Sequence, residues 1–151
     1  MTKTFSRPLG RGLAVVAAAL WLSFPALADV GQIKVATGQV LVDRKGQTLP
    51  GRVGMPLETD DVVRTGTDGS VGITMRDNSL LSAGPNSILS LERFEFDPTT
   101  NDGRFDAQLR RGTLAVVSGR IAKKTPQAMT VRTPSATLGV RGTEFVVSVD
   151  E

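Results

Sequence analysis

Apolar and polar residues alternate over much of the chain after residue 29. Segments 71–76, 105–110 and 145–149 carry an apolar side chain at every second position, and helical spacing is hard to find in the same region. A period of two is that of a β-strand with one buried face. The pattern therefore predicts half-buried strands in these segments. Shorter strands are predicted at Ile33–Val35, Val40–Val42, Val62–Arg64, Leu80–Ser82, Ile88–Leu91, Leu114–Val117, Met129–Arg132 and Ala136–Val140.

Turn-forming residues separate these segments. Such residues occur at Asp68-Gly69, Asp77-Asn78, Pro85-Asn86 and Asn101-Asp102-Gly103. Asn, Asp and Gly tolerate positive φ, and Pro pre-sets the first corner of a turn. Short strands with frequent turns are typical of all-β folds. We therefore predict an all-β fold: a single domain of many short strands, arranged either as a two-sheet sandwich or as a solenoid-like stack.

The first 28 residues have the features of a secretory signal peptide. Lys3, Arg7 and Arg11 form a basic start, residues 13–24 are an apolar run with one serine, and Ala26-Leu27-Ala28 matches the A-x-A pattern that signal peptidase reads. The run is short of the roughly 20 residues that a membrane span needs. We predict cleavage between Ala28 and Asp29, which leaves an exported domain of residues 29–151 without stable membrane insertion. The expected location is the periplasm, with secretion as the alternative.

The net charge of residues 29–151 differs from that of the whole chain. Those three basic residues account for the whole formal charge of +3, so residues 29–151 carry as many acidic as basic side chains. A nucleic-acid-binding domain keeps a basic surplus in its folded part. The balance therefore argues against nucleic acid as a partner.

The composition also weighs against an enzyme. The chain has no Cys, no His and no Tyr, which removes the commonest nucleophiles, bases and zinc ligands. Asp60 and Asp61 are neighbours at the start of a predicted strand, so their side chains point to opposite faces. The acidic residues between 92 and 102 lack the spacing of a calcium loop. We predict no catalytic residues, no metal site and no cofactor.

Two short segments are candidate partner contacts. Lys123 and Lys124 lie in 120–127, a stretch without alternation that reads as an exposed loop or a small basic patch. Phe94 and Phe96 lie between charged residues, which leaves either a core position or a small exposed contact. The other aromatic residues after position 29, Phe105 and Phe145, are expected in the core.

The end of the chain resembles a known family. The run V-R-T-P-S-A-T-L-G-V-R-G-T-E-F, residues 131–145, is similar to the closing signature of the FecR domain family. Earlier blocks of that family are matched in order at Val63–Gly66, Asp68–Val71, Asp77–Ser79, Pro85–Ser87 and Leu114–Val117. The resemblance covers roughly residues 33–149.

We interpret the closing run as structural. Pro134 after Thr133 ends a strand, because proline has no N–H for the ladder. Gly139 and Gly142 permit tight bends or close backbone approach, and Arg141 is expected to cap carbonyls or pair with a carboxylate such as Glu144. The motif residues carried over from the family are Thr133, Pro134, Gly139, Arg141, Gly142, Thr143 and Phe145.

The resemblance implies a bacterial envelope module in signal transduction. The best-known members are anti-sigma regulators with a cytoplasmic segment and a transmembrane helix, neither of which we expect here. This chain resembles the stand-alone exported group. We therefore expect a non-catalytic protein–protein interaction module that binds an envelope protein: a membrane sensor, a cyclase or an outer-membrane receptor. The alternative is a structural or glycan-binding β-module that self-associates.

Overall fold

The computed structural model describes residues 28–140 and 143–150. Strands dominate this part of the chain, which confirms the all-β prediction. The strands are β1 Gly31–Thr37, β2 Val40–Arg44, β3 Gln47–Pro50, β4 Pro56–Leu57, β5 Val62–Thr65, β6 Ser70–Met75, β7 Leu80–Ala83, β8 Ile88–Phe96, β9 Gly103–Val117, β10 Met129–Arg132, β11 Thr137–Gly139 and β12 Glu144–Val149. Two short helices follow β9: α1, Arg120–Lys124, and a 3₁₀ turn, Pro126–Ala128.

The strands form one curled sheet with β9 at its centre. The hydrogen-bonded order is β3-β2-β5-β8-β9-β7-β6-β1-β4. The first part of β9 also pairs with β10, which pairs with β11, and the last part of β9 pairs with β12. The sheet thus has two halves that share β9. We call the half with β1, β4, β6, β7 and β12 sheet A, and the half with β2, β3, β5, β8, β10 and β11 sheet B.

Pairing between these strands is antiparallel except between β9 and β10. A solenoid instead stacks equivalent strands of successive repeats in the same direction. Buried side chains from both halves, including Ile33 and Leu81 of sheet A and Val42 and Leu91 of sheet B, belong to one core cluster. The architecture is therefore closer to the two-sheet alternative than to the solenoid.

Alternation in the sequence corresponds to alternation in burial. Val71, Ile73 and Met75 of β6 are almost fully buried, and the residues between them are partly exposed. Phe105 is completely buried and Phe145 packs against the core, as predicted. The predicted strand Met129–Arg132 has the observed bounds of β10.

Three features differ from the sequence prediction. Segments 105–110 and 114–117 are one 15-residue strand, because Gly112 at φ +89° lets the chain pass from one half of the sheet to the other. Strands β3 and β4 were not predicted, since Gln47–Pro50 is mostly exposed and β4 has only two residues. The predicted loop after residue 120 begins with α1, in which Ile121 and Ala122 are buried.

The predicted signal peptide falls almost entirely outside the described residues. Ala28 and Asp29, on either side of the predicted cleavage point, are exposed and precede β1. Within the described ranges, no helix has the length and hydropathy of a bilayer-crossing segment.

Candidate protein interface at the α1 corner

Helix α1 is held in place by a buried carboxylate from a distant turn. Asp77, which has no exposed surface, accepts hydrogen bonds through Oδ2 from the Ser79 hydroxyl at 2.8 Å and from the Ile121 N–H at 3.3 Å. The Asp77 carbonyl accepts the Arg120 N–H at 2.8 Å, and Ser79 Oγ accepts the Gly119 N–H at 2.9 Å. These bonds satisfy N–H groups that a helix start leaves without partners. The 77–79 block therefore fixes where the chain turns into α1.

The helix covers the turn end of the hairpin formed by β8 and β9. Ile121 is almost fully buried and its side chain reaches Gly103, where an added Cβ would lie 3.0 Å from Ile121 Cδ1. Lys123 and Lys124 follow on the exposed side. The burial of Ile121 and Ala122 thus sets the direction of both lysines.

Phe94 and Phe96 lie beside this helix. Both are half-buried and pack against the core, with Phe94 edge-on to Phe105 at a centroid distance of 5.4 Å. The Arg120 guanidinium lies 5.7 Å from the centre of the Phe96 ring, within cation–π range. The two aromatic rings therefore contribute to both the core and the surface, and their contact with a partner stays a prediction.

An ion pair ties the other side of α1 to the same hairpin. Lys124 Nζ lies 2.7 Å from Asp102 Oδ1 and donates to the Thr100 carbonyl at 2.8 Å. The bond from Lys124 lowers the pKa of Asp102, and a bond involving Thr100 lowers it further. Lys124 is thus partly engaged within the molecule, and exposed Lys123 is the more available of the two cations.

The residues Phe94, Phe96, Arg120, Lys123 and Lys124 form the surface that we call the α1 corner. Two of them precede β9 and three follow it, so the sequence places them in separate segments. The fold brings them together because α1 returns over the β8–β9 hairpin. The corner combines half-buried aromatic faces with cationic groups, a composition suited to an acidic protein segment that also carries an apolar side chain.

A cleft of about 320 Å³ borders the corner. Phe94 and Phe96 line one side of it, and Asp29, Thr59 and Arg76 line the rest. Arg76 Nη1 donates to the Asp29 carbonyl at 3.4 Å, and the Arg76 N–H donates to the Val30 carbonyl at 2.9 Å. The first described residues of the chain therefore lie against the corner.

Other family blocks form a second buried network. Thr65 Oγ1 donates to the Gly84 carbonyl at 2.6 Å and accepts the Ser87 N–H at 2.9 Å. Ser87 Oγ accepts the Thr113 N–H at 3.0 Å. This network joins β5, the turn before β8 and the crossing point of β9. It stabilises the fold rather than exposing groups to a ligand.

The closing run forms β10, a turn and β11. β10 ends at Arg132. In the turn that follows, the Thr133 N–H donates to the Ala136 carbonyl and the Ala136 N–H donates to Thr133 Oγ1. These two bonds enclose exposed Pro134. The expected tight bend or close approach at Gly139 is wrong, because its φ is not positive and an added Cβ would meet no atom within 4 Å.

The Thr143 carbonyl accepts the Ser118 N–H at 2.8 Å. Arg141 and Gly142 lie outside the described residues, so the expected pairing of Arg141 stays a prediction.

The described residues hold a buried ion pair that the sequence pattern does not predict. Asp61, only 1% exposed, receives two bonds from Arg44, at 2.8 Å from Nε and 2.6 Å from Nη2. Asp61 also accepts the Glu58 N–H at 2.8 Å. The bond to Asp61 raises the pKa of Arg44. Asp60 beside it is exposed, so the two carboxylates do point apart, but sequence spacing offered no sign that Asp61 would meet Arg44.

The acidic residues between 92 and 97 bond to other groups of the protein. Glu92 pairs with Arg132, Glu95 with Arg93, and Asp97 accepts N–H groups of its own turn. In the described part of the chain, no three side chains of the metal-ligating types gather in one place.

The fold and the corner define an all-β domain with a mixed aromatic and cationic surface at one end. A family model described as FecR protein matches residues 61–151. The match spans more than half of the chain, so this chain belongs to the FecR family, as its closing run predicts. The family points to regulation of signalling at the cell envelope. No curated protein and no solved structure matches the chain.

Proposed function

We propose that the chain is an exported, non-catalytic interaction module of envelope signalling, located in the periplasm. It binds one envelope protein, of the class of membrane sensors, cyclases or outer-membrane receptors, through the α1 corner. The observation that carries the proposal is the convergence of Phe94, Phe96 and the basic residues of α1 on one surface. FecR family membership supports the signalling role.

The partner is expected to present an acidic segment with an apolar anchor. The anchor would pack against Phe96 in the bordering cleft, and its acidic neighbours would face Lys123. Aromatic residues and arginine are enriched where interfaces gain most of their binding energy. Charges at the rim mainly raise the association rate and set the orientation of the partner.

In-cell crosslinking of a tagged chain, followed by mass spectrometry, tests this function. We expect capture of an envelope signalling protein, and we expect Lys123→Glu/Lys124→Glu to reduce that capture about tenfold or more, in line with reversed rim charges. The control Lys45→Glu/Arg52→Glu makes the same change in net charge at exposed residues outside the corner, and it should leave capture unchanged.

The captured species also separate this proposal from the alternative. Recovery of cell-wall fragments alone would replace signalling with a structural envelope role. Equal capture by both double variants would remove the α1 corner from the interface. The mass of the recovered chain measures whether cleavage follows Ala28.

A further inference from the structure

The outer face of sheet A has an unusual composition. Strand register aligns Val35 of β1, Gly72 of β6, Ser82 of β7, Ala115 of β9 and Val146 of β12 in one row across five strands. Every member of the row is uncharged. Val146 is 66% exposed and Val35 is 55% exposed. Two large apolar side chains thus stand at the ends of a row whose middle is small and flat.

The neighbouring row continues this surface. It runs from Gln32 through Thr74, Leu80 and Val117 to Glu144. Leu80 is 45% exposed and Val117 is 37% exposed, although both lie in the middle of the sheet. The four exposed apolar residues named in these rows make up most of the large exposed hydrophobic side chains in the described ranges. Exposed apolar side chains gathered on one face of a sheet are a feature of interaction sites.

The outer face of sheet B is different. Its exposed side carries ion pairs, among them Arg64 with Asp43 and Arg104 with Asp106. The two faces share the central strand β9, so the contrast is a property of the two sheet halves and not of the chain as a whole. The apolar residues of the A face are therefore not a general feature of this surface.

Charge appears at opposite edges of the A face. Lys34 is the bulged residue of β1, and its amine reaches the Gln32 amide oxygen on the outer side. Glu144 begins β12 at the other edge and is exposed. Among the described residues of these two rows and the bulge, Lys34 and Glu144 are the charged ones. One edge is positive, the other is negative, and the centre is neutral.

We propose that this face binds a second copy of the same chain in a two-fold symmetric dimer. In such a dimer each surface patch meets its own copy with exchanged partners. A two-fold axis between the faces and parallel to β7 sets β7 against β7 and β1 against β12. Lys34 then meets Glu144 of the second copy, and Val35 meets Val146 of the second copy. This one rotation therefore brings each charged end of the face to the opposite charge on the second copy, and the exposed valine at each end of the row to a valine on the second copy.

The size of the face predicts a weak dimer. Together with the third outward row, which includes Thr37, Ser70, Thr113 and Ser148, five strands at about 4.8 Å and six residues at about 3.3 Å give a face of roughly 500 Å² per copy, or about 1,000 Å² in total. This is near the lower limit of specific interfaces. We therefore expect a dimer that dissociates on dilution. The interface leaves the α1 corner outside the two rows, so the inference does not depend on the proposed function.

Sedimentation velocity of the purified full-length gene product, with interference detection, tests the proposal. The wild-type chain should show reversible dimers, with a dissociation constant on the order of micromolar to tens of micromolar. Leu80→Asp places two carboxylates against each other at the axis and should weaken the dimer about 100-fold or more. Gln108→Asp, on the same central strand β9 in the sheet B half, is the control and should leave the dimer unchanged.

Charge exchange gives the sharper test. Lys34→Glu alone and Glu144→Lys alone should each weaken the dimer about fivefold, because symmetry creates two like-charge contacts. The double variant Lys34→Glu/Glu144→Lys should restore it. Circular dichroism melting of each variant verifies that the monomer stays folded.

Three results would overturn the proposal. The first is a wild-type monomer up to roughly 1 mM, far above the expected dissociation constant. The second is a dimer that Leu80→Asp leaves intact, since another surface would then form it. The third is a dimer that Lys34→Glu weakens and Lys34→Glu/Glu144→Lys does not restore, since Lys34 then does not meet Glu144 of the second copy.

Discussion

Gly112 lies so close to Ser87 that no other residue fits at that point of β9. A Cβ built on Gly112 would be 2.2 Å from Ser87 Oγ and 2.5 Å from Ser87 Cα, and the backbone there has φ +89°. The Ser87 hydroxyl uses this space to accept the Thr113 N–H at 3.0 Å. Because β9 leaves sheet B and enters sheet A at Gly112, this contact holds the two halves of the sheet together.

Gly112→Ala should therefore destabilise the protein strongly. We expect a loss of about 3 kcal/mol or more in the free energy of unfolding, from positive φ together with the clash against Ser87. The control is Gly46→Ala, because Gly46 has φ +79° but an added Cβ would meet nothing within 4 Å. That variant should lose only about 1 kcal/mol. Urea unfolding followed by circular dichroism measures both, and equal losses would mean that the Ser87 contact is unimportant.

Because Asp61 pairs with Arg44 and is buried, we predict that substituting Asp61 destabilises the protein more than substituting its exposed neighbour Asp60. Asp61→Asn removes the more buried of the two carboxylates that pair with the Arg44 guanidinium, the other being Glu58, and should cost about 2 kcal/mol. Asp60→Asn changes an exposed residue at φ 71°, a conformation that Asn tolerates, and should cost less than about 0.5 kcal/mol. Thermal melting of the two variants compares them. Similar melting temperatures would contradict the structural role of Asp61.

Because Asp77 bonds to the start of α1, we predict that substituting Asp77 loosens this helix locally. Asp77→Ala removes the acceptor of the Ser79 hydroxyl and the Ile121 N–H. Hydrogen exchange of the amides in 119–125 should then accelerate more than exchange in β6 or β9, because the helix start loses its partners. Asn78→Asp, at an exposed neighbour, serves as the control. Uniform acceleration across all strands would show that Asp77 acts on global stability alone.

Acid should destabilise the domain through particular carboxylates. A bond from the Thr48 hydroxyl, followed by the contacts with Arg64, lowers the pKa of Asp43. Burial tends to raise the pKa of Asp106, but bonds from Arg104 and Thr130 outweigh it and lower that pKa. In the unfolded chain these groups take up protons near the ordinary value of about 3.9.

The sign follows from this difference. Each group stabilises the fold fully above its ordinary pKa, and the contribution is lost as the pH falls through the lowered value of the folded state. The wild-type free energy of unfolding should therefore fall as the pH is taken from about 5 to about 3. Asp43→Asn/Asp106→Asn should show a shallower fall over the same range. Parallel curves for the two proteins would exclude these carboxylates as the source.

Much of the fold could be read from the sequence, and the physical reason is local. Apolar and polar residues alternate at 71–76 and 129–132 because each strand buries one face. Such a pattern can be seen in the residues of one strand alone. Asn78, Asn86 and Asn101 adopt positive φ where turns were predicted. Strand β3 was not predicted because it is a mostly exposed edge strand, so its sequence does not alternate between buried and exposed positions.

Features that depend on distant partners could not be read. Asp61 meets Arg44 across 17 positions, and Asp77 caps a helix start 44 positions later. The α1 corner was predicted as two unrelated segments, since nothing local shows that Arg120 lies over Phe96. The A face needed strand register, because its rows take one residue from each of five strands.

We propose the α1 corner as the place where a partner envelope protein binds. Site-specific photo-crosslinking in living cells tests it most directly, with the photoreactive group at Lys123 and, as the matched position, at exposed Thr48 of β3, three strands away from β8 in sheet B. We predict one crosslinked envelope signalling protein from position 123 and none from position 48. The same protein captured from both positions, or from position 48 alone, would contradict the assignment of the interface.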